Sequence, residues 1–357
     1  MNDIIEILKD AVNKKASDIF IVAGAPICFK IYNSIEHCNE EILHPSETEE
    51  LIMQMYKLSE NRELKLLKEN GDDDFSFSIT GLSRFRVNTY KQRGSLSAVI
   101  RIISFELPKY KDIHIPENVM SISDKTGGFV LVTGPATSGK STTLACIIDA
   151  INEKRKNHII TLEDPIEYLH KHKNSIVSQR ELEMDTKSFI LALRAAMRQS
   201  PDVILVGEMR DFETIRTAVT AAETGHMIIS TLHTVGSANS IDRIIDAFPV
   251  DQQQQIRIQL SMVLSAVISQ QLIPTVDNKV VPAFEVMFVN SAIRNLIRES
   301  KVHQIDNLIM TSSQEGMISM DTSILNLYTS GTISYDNAIK YSMNPAQMEK
   351  KISMLQR

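Results

Sequence analysis

Phe129-Val-Leu-Val-Thr133, running directly into Gly134-Pro-Ala-Thr-Ser-Gly139-Lys140-Ser141, is the stretch that decides how this 357-residue chain folds. The first five residues are apolar or β-branched and read as a strand. Behind the glycines, Leu144, Ile147, Ile148 and Ile151 fall on one face of a helix. A glycine-rich turn at such a junction curls the backbone so that consecutive N–H groups point inward, and the positive end of the helix adds to them. The result is a cradle for phosphate oxygens. Gly134, Pro135, Ala136, Thr137, Ser138, Gly139, Lys140, Ser141 and Thr142 are the candidate nucleotide-binding residues. Lys140 would neutralise the β and γ charges, and the Ser141 hydroxyl is placed for Mg²⁺. The simpler reading, a Gly/Ser-rich turn before a helix, does not account for strand, spacing and helix together.

Three further apolar runs end in polar groups: Ile159-Ile-Thr-Leu162 at Glu163 and Asp164, Val203-Ile-Leu-Val206 at Gly207-Glu208, and Met227-Ile-Ile-Ser-Thr-Leu232 at His233. From residue 128 such runs alternate with amphipathic helices, which predicts a mostly parallel sheet covered on both faces. The carboxyl ends of its strands converge on one crevice. ATP hydrolysis needs one carboxylate to hold the attacking water and another to organise the metal's water shell, so Glu163 and Glu208 are the candidates, their division of labour open. Glu163-Asp164-Pro165 also reads as a turn-forming acid pair, and Asp211 as a helix N-cap. His226, after Gly225, is equally a C-terminal helix cap. His233 is either a γ-phosphate sensor or a satisfied core histidine.

With 43% hydrophobic and 23% charged residues the chain reads as a folded soluble protein of two domains. A net charge of −6 offers no basic field for nucleic acid. The longest apolar runs fall far short of the roughly 20 residues that span a bilayer, and Met1-Asn-Asp-Ile-Ile-Glu-Ile lacks a secretory pattern, so a cytoplasmic protein is expected. Cys28, Cys38 and Cys146 form no metal or redox pair and read as buried free thiols.

The predicted organisation is an α/β domain over residues 1–105, a linker over 106–119 carrying Pro108 and Pro116, a P-loop core over 120–290 and a helical region over 291–357. In the first domain, Ile4, Ile5, Leu8 and Val12 sit at helical spacing, residues 47–69 look helical, and the runs from Phe75, Arg84 and Ala98 alternate as strands. After Pro282 the pattern becomes mainly helical. Arg84, Arg86, Arg93 and Arg101 are candidate arginine fingers, or else an ion-paired sheet face. In Ala292-Ile-Arg-Asn-Leu-Ile-Arg-Glu299 the apolar positions share one helical face and Arg294 and Arg298 the other.

Over nearly its whole length the sequence resembles the type IV pilus retraction ATPases, the PilT family of the secretion-ATPase superfamily. Four blocks carry the likeness: Gly134 to Thr143, Leu162-Glu-Asp-Pro-Ile-Glu-Tyr168, Asp202-Val-Ile-Leu-Val-Gly-Glu-Met-Arg-Asp211, and Glu223-Thr-Gly-His226 with Thr231-Leu-His-Thr234. They look like the family's Walker A, Asp, Walker B and His boxes. The Ala292 to Glu299 block looks like the signature of retraction motors. The resemblance implies a PAS-like first domain, a RecA-like second, and a homohexameric ring in which one subunit's first domain packs on its neighbour's ATP site, so that the arginines act across domains. It also implies that Glu163 positions water, that Glu208 supports Mg²⁺, that His226 and His233 relay nucleotide state, and that Arg294 and Arg298 face a partner. The ring would sit at the cytoplasmic face of the inner membrane and pull pilins through a platform protein. Thr137 departs from the family's usual inner glycine and Phe20 from a usual histidine, while Gly207 is similar to the family's own Walker B. The rival readings are an extension, secretion or DNA-uptake motor of the same superfamily, disfavoured by the Ala292 block and the missing tetracysteine subdomain, and a non-hydrolysing nucleotide-binding ring, disfavoured by the intact Lys140, Glu163 and Glu208.

Overall fold

The computed structural model describes residues 3–31, 34–59, 62–103, 107–209 and 211–355. The expected end of the first domain at 105 and start of the linker at 106 lie outside these, as does Arg210. The chain forms two compact units, Met1–Glu106 with Glu167–Leu169, and Leu107–Ile166 with His170–Arg357.

The first unit packs helices α1 (Ile4–Asn13), α2 (Pro45–Leu58) and α3 (Lys65–Asn70) with an antiparallel sheet of β1 (Asp18–Ile21), β2 (Cys28–Ile31), β3 (Ser34–His37), β4 (Asp72–Ile79), β5 (Ser83–Gln92) and β6 (Ser95–Ile103), in the order β3-β2-β1-β6-β5-β4. In α1 the buried stripe is Ile4, Ile7, Leu8 and Ala11; Ile5 and Val12 flank it half-buried. The helical stretch at 47–69 divides into α2 and α3. β5 shows the period of two plainly: Ser83, Phe85, Val87 and Thr89 are buried and Arg84, Arg86 and Asn88 alternate with them on the other face. Behind it, Tyr56 donates to Asp73 (2.7 Å), which Arg62 also grips. Burial pushes the Tyr56 hydroxyl up beyond the ordinary phenol range.

The second unit is built on β7 (Gly128–Thr133), β8 (His158–Glu163), β9 (Ile176–Glu181), β10 (Val203–Val206), β11 (Met227–Leu232), β12 (Leu264–Pro274) and β13 (Val280–Phe288), in the order β13-β12-β7-β11-β10-β8-β9. All neighbours are parallel except the β12–β13 pair. Its helices are α4 (Glu117–Met120), α5 (Lys140–Lys154), α6 (Phe189–Ala196), α7 (Phe212–Glu223), α8 (Ser237–Asp246), α9 (Val250–Val263), α10 (Ser291–Arg298), α11 (Ile305–Thr311), α12 (Met320–Thr329), α13 (Tyr335–Tyr341) and α14 (Pro345–Leu355). Both sheet faces are covered: Phe129 and Leu131 join one core with α6 to α11, while Val130 and Val132 join another with α5. This is why the strands read as unbroken apolar runs.

Two expectations need correction. The strand pattern does not end at Pro282: β13 continues to Phe288, and the proline is accommodated because β13 is the edge strand, where a missing N–H costs no ladder bond. Cys28 and Cys146 are buried, but Cys38 is only half-buried. Among the described residues no helix is long and apolar enough to cross a membrane.

Candidate nucleotide site

Residues 134–139 link the end of β7 to the first turn of α5, with Gly139 at the helix N-cap. Three of the six take left-handed backbone: Gly134 (φ 141°), Thr137 (φ 62°) and Gly139 (φ 87°). Gly134 is also required sterically, since a Cβ there would lie 2.2 Å from the Gln270 carbonyl oxygen. Thr137 adopts the same hand without glycine's freedom, and its hydroxyl donates to the Ala136 carbonyl (2.6 Å). For a β-branched residue this conformation is a genuine outlier, so the loop holds strain at its exposed tip. Lys140 is 8% exposed, and its Nζ donates to the carbonyls of Gly134 (2.9 Å) and Pro135 (2.7 Å), which keeps the charge in the mouth of the loop.

Parallel strands put the remaining polar groups on the same edge. Thr133 pairs with Leu232, and Val206 with Leu162 and Ser230, so Glu163, Gly207-Glu208 and His233 follow at matching depth. Glu163 accepts from Thr161 Oγ1 (2.6 Å) and Gln179 Nε2 (3.1 Å), two donors that aim its carboxylate. A Cβ on Gly207 would meet the Leu162 carbonyl at 3.0 Å and the Glu163 Cα at 3.4 Å, so the small residue lets β8 and β10 end side by side. Glu208 Oε2 stands 3.7 Å from His233 Nε2, the carboxylate 15% and the imidazole 59% exposed. His233 is therefore not a core histidine.

The residues fit a magnesium nucleotide. Thr133 Oγ1 and Ser138 Oγ are buried at the loop with no partner among the described residues, the kind of unpaired polar groups that a bound phosphate group can engage. No cluster of three or more His, Cys, Asp or Glu among the described residues forms a metal cage. Mg²⁺ keeps waters and phosphate oxygens and takes few protein ligands, and Ser141 and Glu208 are the residues that could hold it.

His226 does not join this edge. It precedes β11, whereas His233 follows it, so about 23 Å of extended chain separates them at roughly 3.3 Å per residue. Its Nδ1 lies 3.0 Å from the Ala221 carbonyl and 3.1 Å from Thr224 Oγ1, the contacts of a cap on the C-terminus of α7. Asp211 caps the other end of α7, accepting from the Thr214 amide (2.8 Å).

The four arginines also divide. Arg86 pairs directly opposite Arg101, with Arg84 two residues along, so these three share one sheet face, where Ser76 receives Arg84 (2.7 Å), Asp74 lies 3.9 Å from Arg86 and Asp18 receives Arg101 (3.1 Å). Arg93, exposed in the two-residue turn Arg93-Gly94 that follows β5, is about 24 Å beyond Arg86 at roughly 3.4 Å per residue. Arg294 and Arg298 are exposed on α10 above the buried Ile293 and Ile297.

Sequence reading missed Gln270 and Glu285. Gln270, 3% exposed, accepts from Thr143 Oγ1 (2.8 Å), and Glu285, 6% exposed, accepts from the Ser237 amide (2.7 Å) and hydroxyl (2.8 Å) at the start of α8. Burial raises the Glu285 carboxyl above its usual range. The available signal was polar residues inside otherwise apolar strands.

A profile of the type II/IV secretion system protein family matches residues 1–329. The chain is 43% identical to the type IV pilus retractation ATPase PilT of Pseudomonas aeruginosa over 336 residues, 94% of this chain and 97% of that one. It is 40% identical to a twitching motility protein of Neisseria gonorrhoeae, over 97% of this chain and 92% of the other. Among solved structures, a crystal structure of the pilus retraction motor PilT with bound ADP superposes with a TM-score of 0.89 at 45% identity, covering 98% of this chain and 99% of that one.

Proposed function

The chain belongs to the type II/IV secretion system protein family, in its group of pilus retraction ATPases, and from that premise we propose that it hydrolyses ATP with Mg²⁺ to power retraction of a type IV pilus. The observation that carries this is the gathering of the phosphate loop, Glu163, Glu208 and His233 on one edge of a parallel sheet.

The loop amides, Lys140 and Thr142 bind the phosphates, and Ser141 with Glu208 holds the metal side. Bound Mg-ATP would supply the phosphoanhydride bond, and its Mg²⁺ the positive charge that offsets negative charge developing during transfer. Glu163, aimed by Thr161 and Gln179, orients the attacking water and takes up its proton. His233, in reach of Glu208, follows changes at the metal side and passes them to the segment leading into α8. His226 acts at the far edge, as the cap that fixes α7 to the start of β11.

The working form is a homohexamer at the cytoplasmic face of the inner membrane, gripping the pilus platform protein, with Arg294 and Arg298 facing that partner. It needs no nucleic acid. Of the arginines, Arg93 has no ion pair among the described residues and is our candidate for reaching another subunit's phosphates; Arg84, Arg86 and Arg101 are engaged on their own sheet. The test is Lys140→Ala in the native cell, with surface pili counted and retraction recorded. Pili that accumulate and no longer retract support the proposal; a bare surface makes this an extension motor.

A further inference from the structure

The phosphate loop is braced from the side by β12. The Gln270 carbonyl closes against Gly134, and a Cβ on Gly139 would come within 2.8 Å of Gln270 Nε2. The same side chain accepts from Thr143 Oγ1 (2.8 Å), one turn into α5 and 1% exposed. One residue thus touches the first glycine of the loop, the last glycine, and the helix that carries Lys140 and Ser141. Burying a glutamine at this depth costs desolvation that its hydrogen bonds must offset, a cost an apolar residue in the same place would not incur.

Its neighbour points to the other sheet face. Ser269 Oγ accepts the Gly236 amide (2.9 Å), and Glu285, directly opposite Ser269 on β13, holds the Ser237 amide and hydroxyl. Gly236 and Ser237 begin α8, three and four residues after His233. Two consecutive residues of β12 therefore hold the phosphate loop on one face of the sheet and the root of the His233 segment on the other.

We infer that Gln270 is a positioning residue for the phosphate loop, and that the Ser269–Gln270 pair mechanically joins that loop to the His233 segment and α8. Filling the loop with phosphate moves α5 and Gly139 against Gln270; because β12 is one rigid strand, the His233 segment is biased by the same displacement. This inference rests on the reading of the loop as a nucleotide site.

The test uses full-length protein, with ADP affinity, Mg-ATP kcat and KM, and Tm measured for wild type, Gln270→Met, Thr143→Val, the double variant, Thr143→Ser and Ser269→Ala. Gln270→Met and Thr143→Val should each weaken ADP roughly five- to tenfold, the double variant no further, and Thr143→Ser should restore binding. Ser269→Ala should leave ADP affinity within about twofold and lower kcat about fivefold, since it loosens only the His233 side. Additive losses, or a fall in Tm with ADP affinity and kcat unchanged, would reduce the bond to ordinary packing and overturn the inference while leaving the nucleotide site intact. Should Gln270→Met fail to fold, the Thr143→Val and Thr143→Ser contrast decides alone. A wild-type protein that binds no ADP would overturn the nucleotide reading itself, and this inference with it.

Discussion

The two ends of β11 carry a histidine each, and the molecule treats them differently. His233, at the carboxyl end, lies open beside Glu208 on the edge where β7, β8 and β10 also finish. His226, at the amino end, is tied to Ala221 and Thr224 and closes a helix. Strand direction alone puts one histidine on the edge that carries the phosphate loop and the other at the opposite end of β11. Where parallel strands alternate with helices, the carboxyl ends collect loop tips and helix N-termini, while the amino ends collect helix C-termini and their caps.

The comparison breaks most visibly at the phosphate edge. Lys140→Ala should lower kcat/KM for ATP by about 10²–10³ or more, with Tm nearly unchanged, as judged by phosphate release and thermal unfolding. Glu163→Gln keeps the shape and its two donors but removes the base; kcat should fall about 10²–10⁴ while ADP affinity stays within a few-fold. If Glu208→Gln shows that pattern instead, and Glu163→Gln alters the Mg²⁺ requirement, the two roles are exchanged.

The histidine pair sharpens it. His233→Ala should lower kcat with little effect on Tm, because the ring is mostly exposed. His226→Ala should do the reverse: a loss of about 0.5–1.5 kcal/mol in stability, seen in urea melts, with kcat per folded subunit within twofold. Equal kinetic losses from both would show that the far edge of the sheet takes part in turnover.

The smallest effect belongs to Thr137. Replacing it with glycine removes a left-handed cost of about 1–2 kcal/mol, and restores part of it through roughly 0.5–1 kcal/mol of added chain entropy. Thr137→Gly should raise Tm by a few degrees at most; a fall would mean that the hydroxyl bond to Ala136 outweighs the strain.

Much of this edge was legible in the sequence because each element announced itself locally. An apolar run, a glycine turn and an amphipathic helix lie within 25 residues of Phe129, and the acids stand immediately after their strands. What was not legible depends on pairing across long separations. Gln270 meets Thr143 over 127 positions, and nothing near either residue signals the other. Arg93 looked like a companion of Arg84 and Arg86 because it is close in sequence, but a β-hairpin carries it to the opposite end of the ladder. Pro282 read as a strand terminator because an edge position cannot be recognised before the sheet order is known. His226 was ambiguous for the same reason: a histidine after a helical glycine and one after a strand look equally like boxes until the strand is given a direction.

The most direct test of the account is Mg-ATP hydrolysis by the purified chain, followed as phosphate release in wild type and Lys140→Ala. Turnover that requires Mg²⁺ in the wild type and disappears in the variant is the predicted result. Hydrolysis that survives Lys140→Ala, or proceeds without a divalent cation, would contradict the assignment of this sheet edge as the motor's active site.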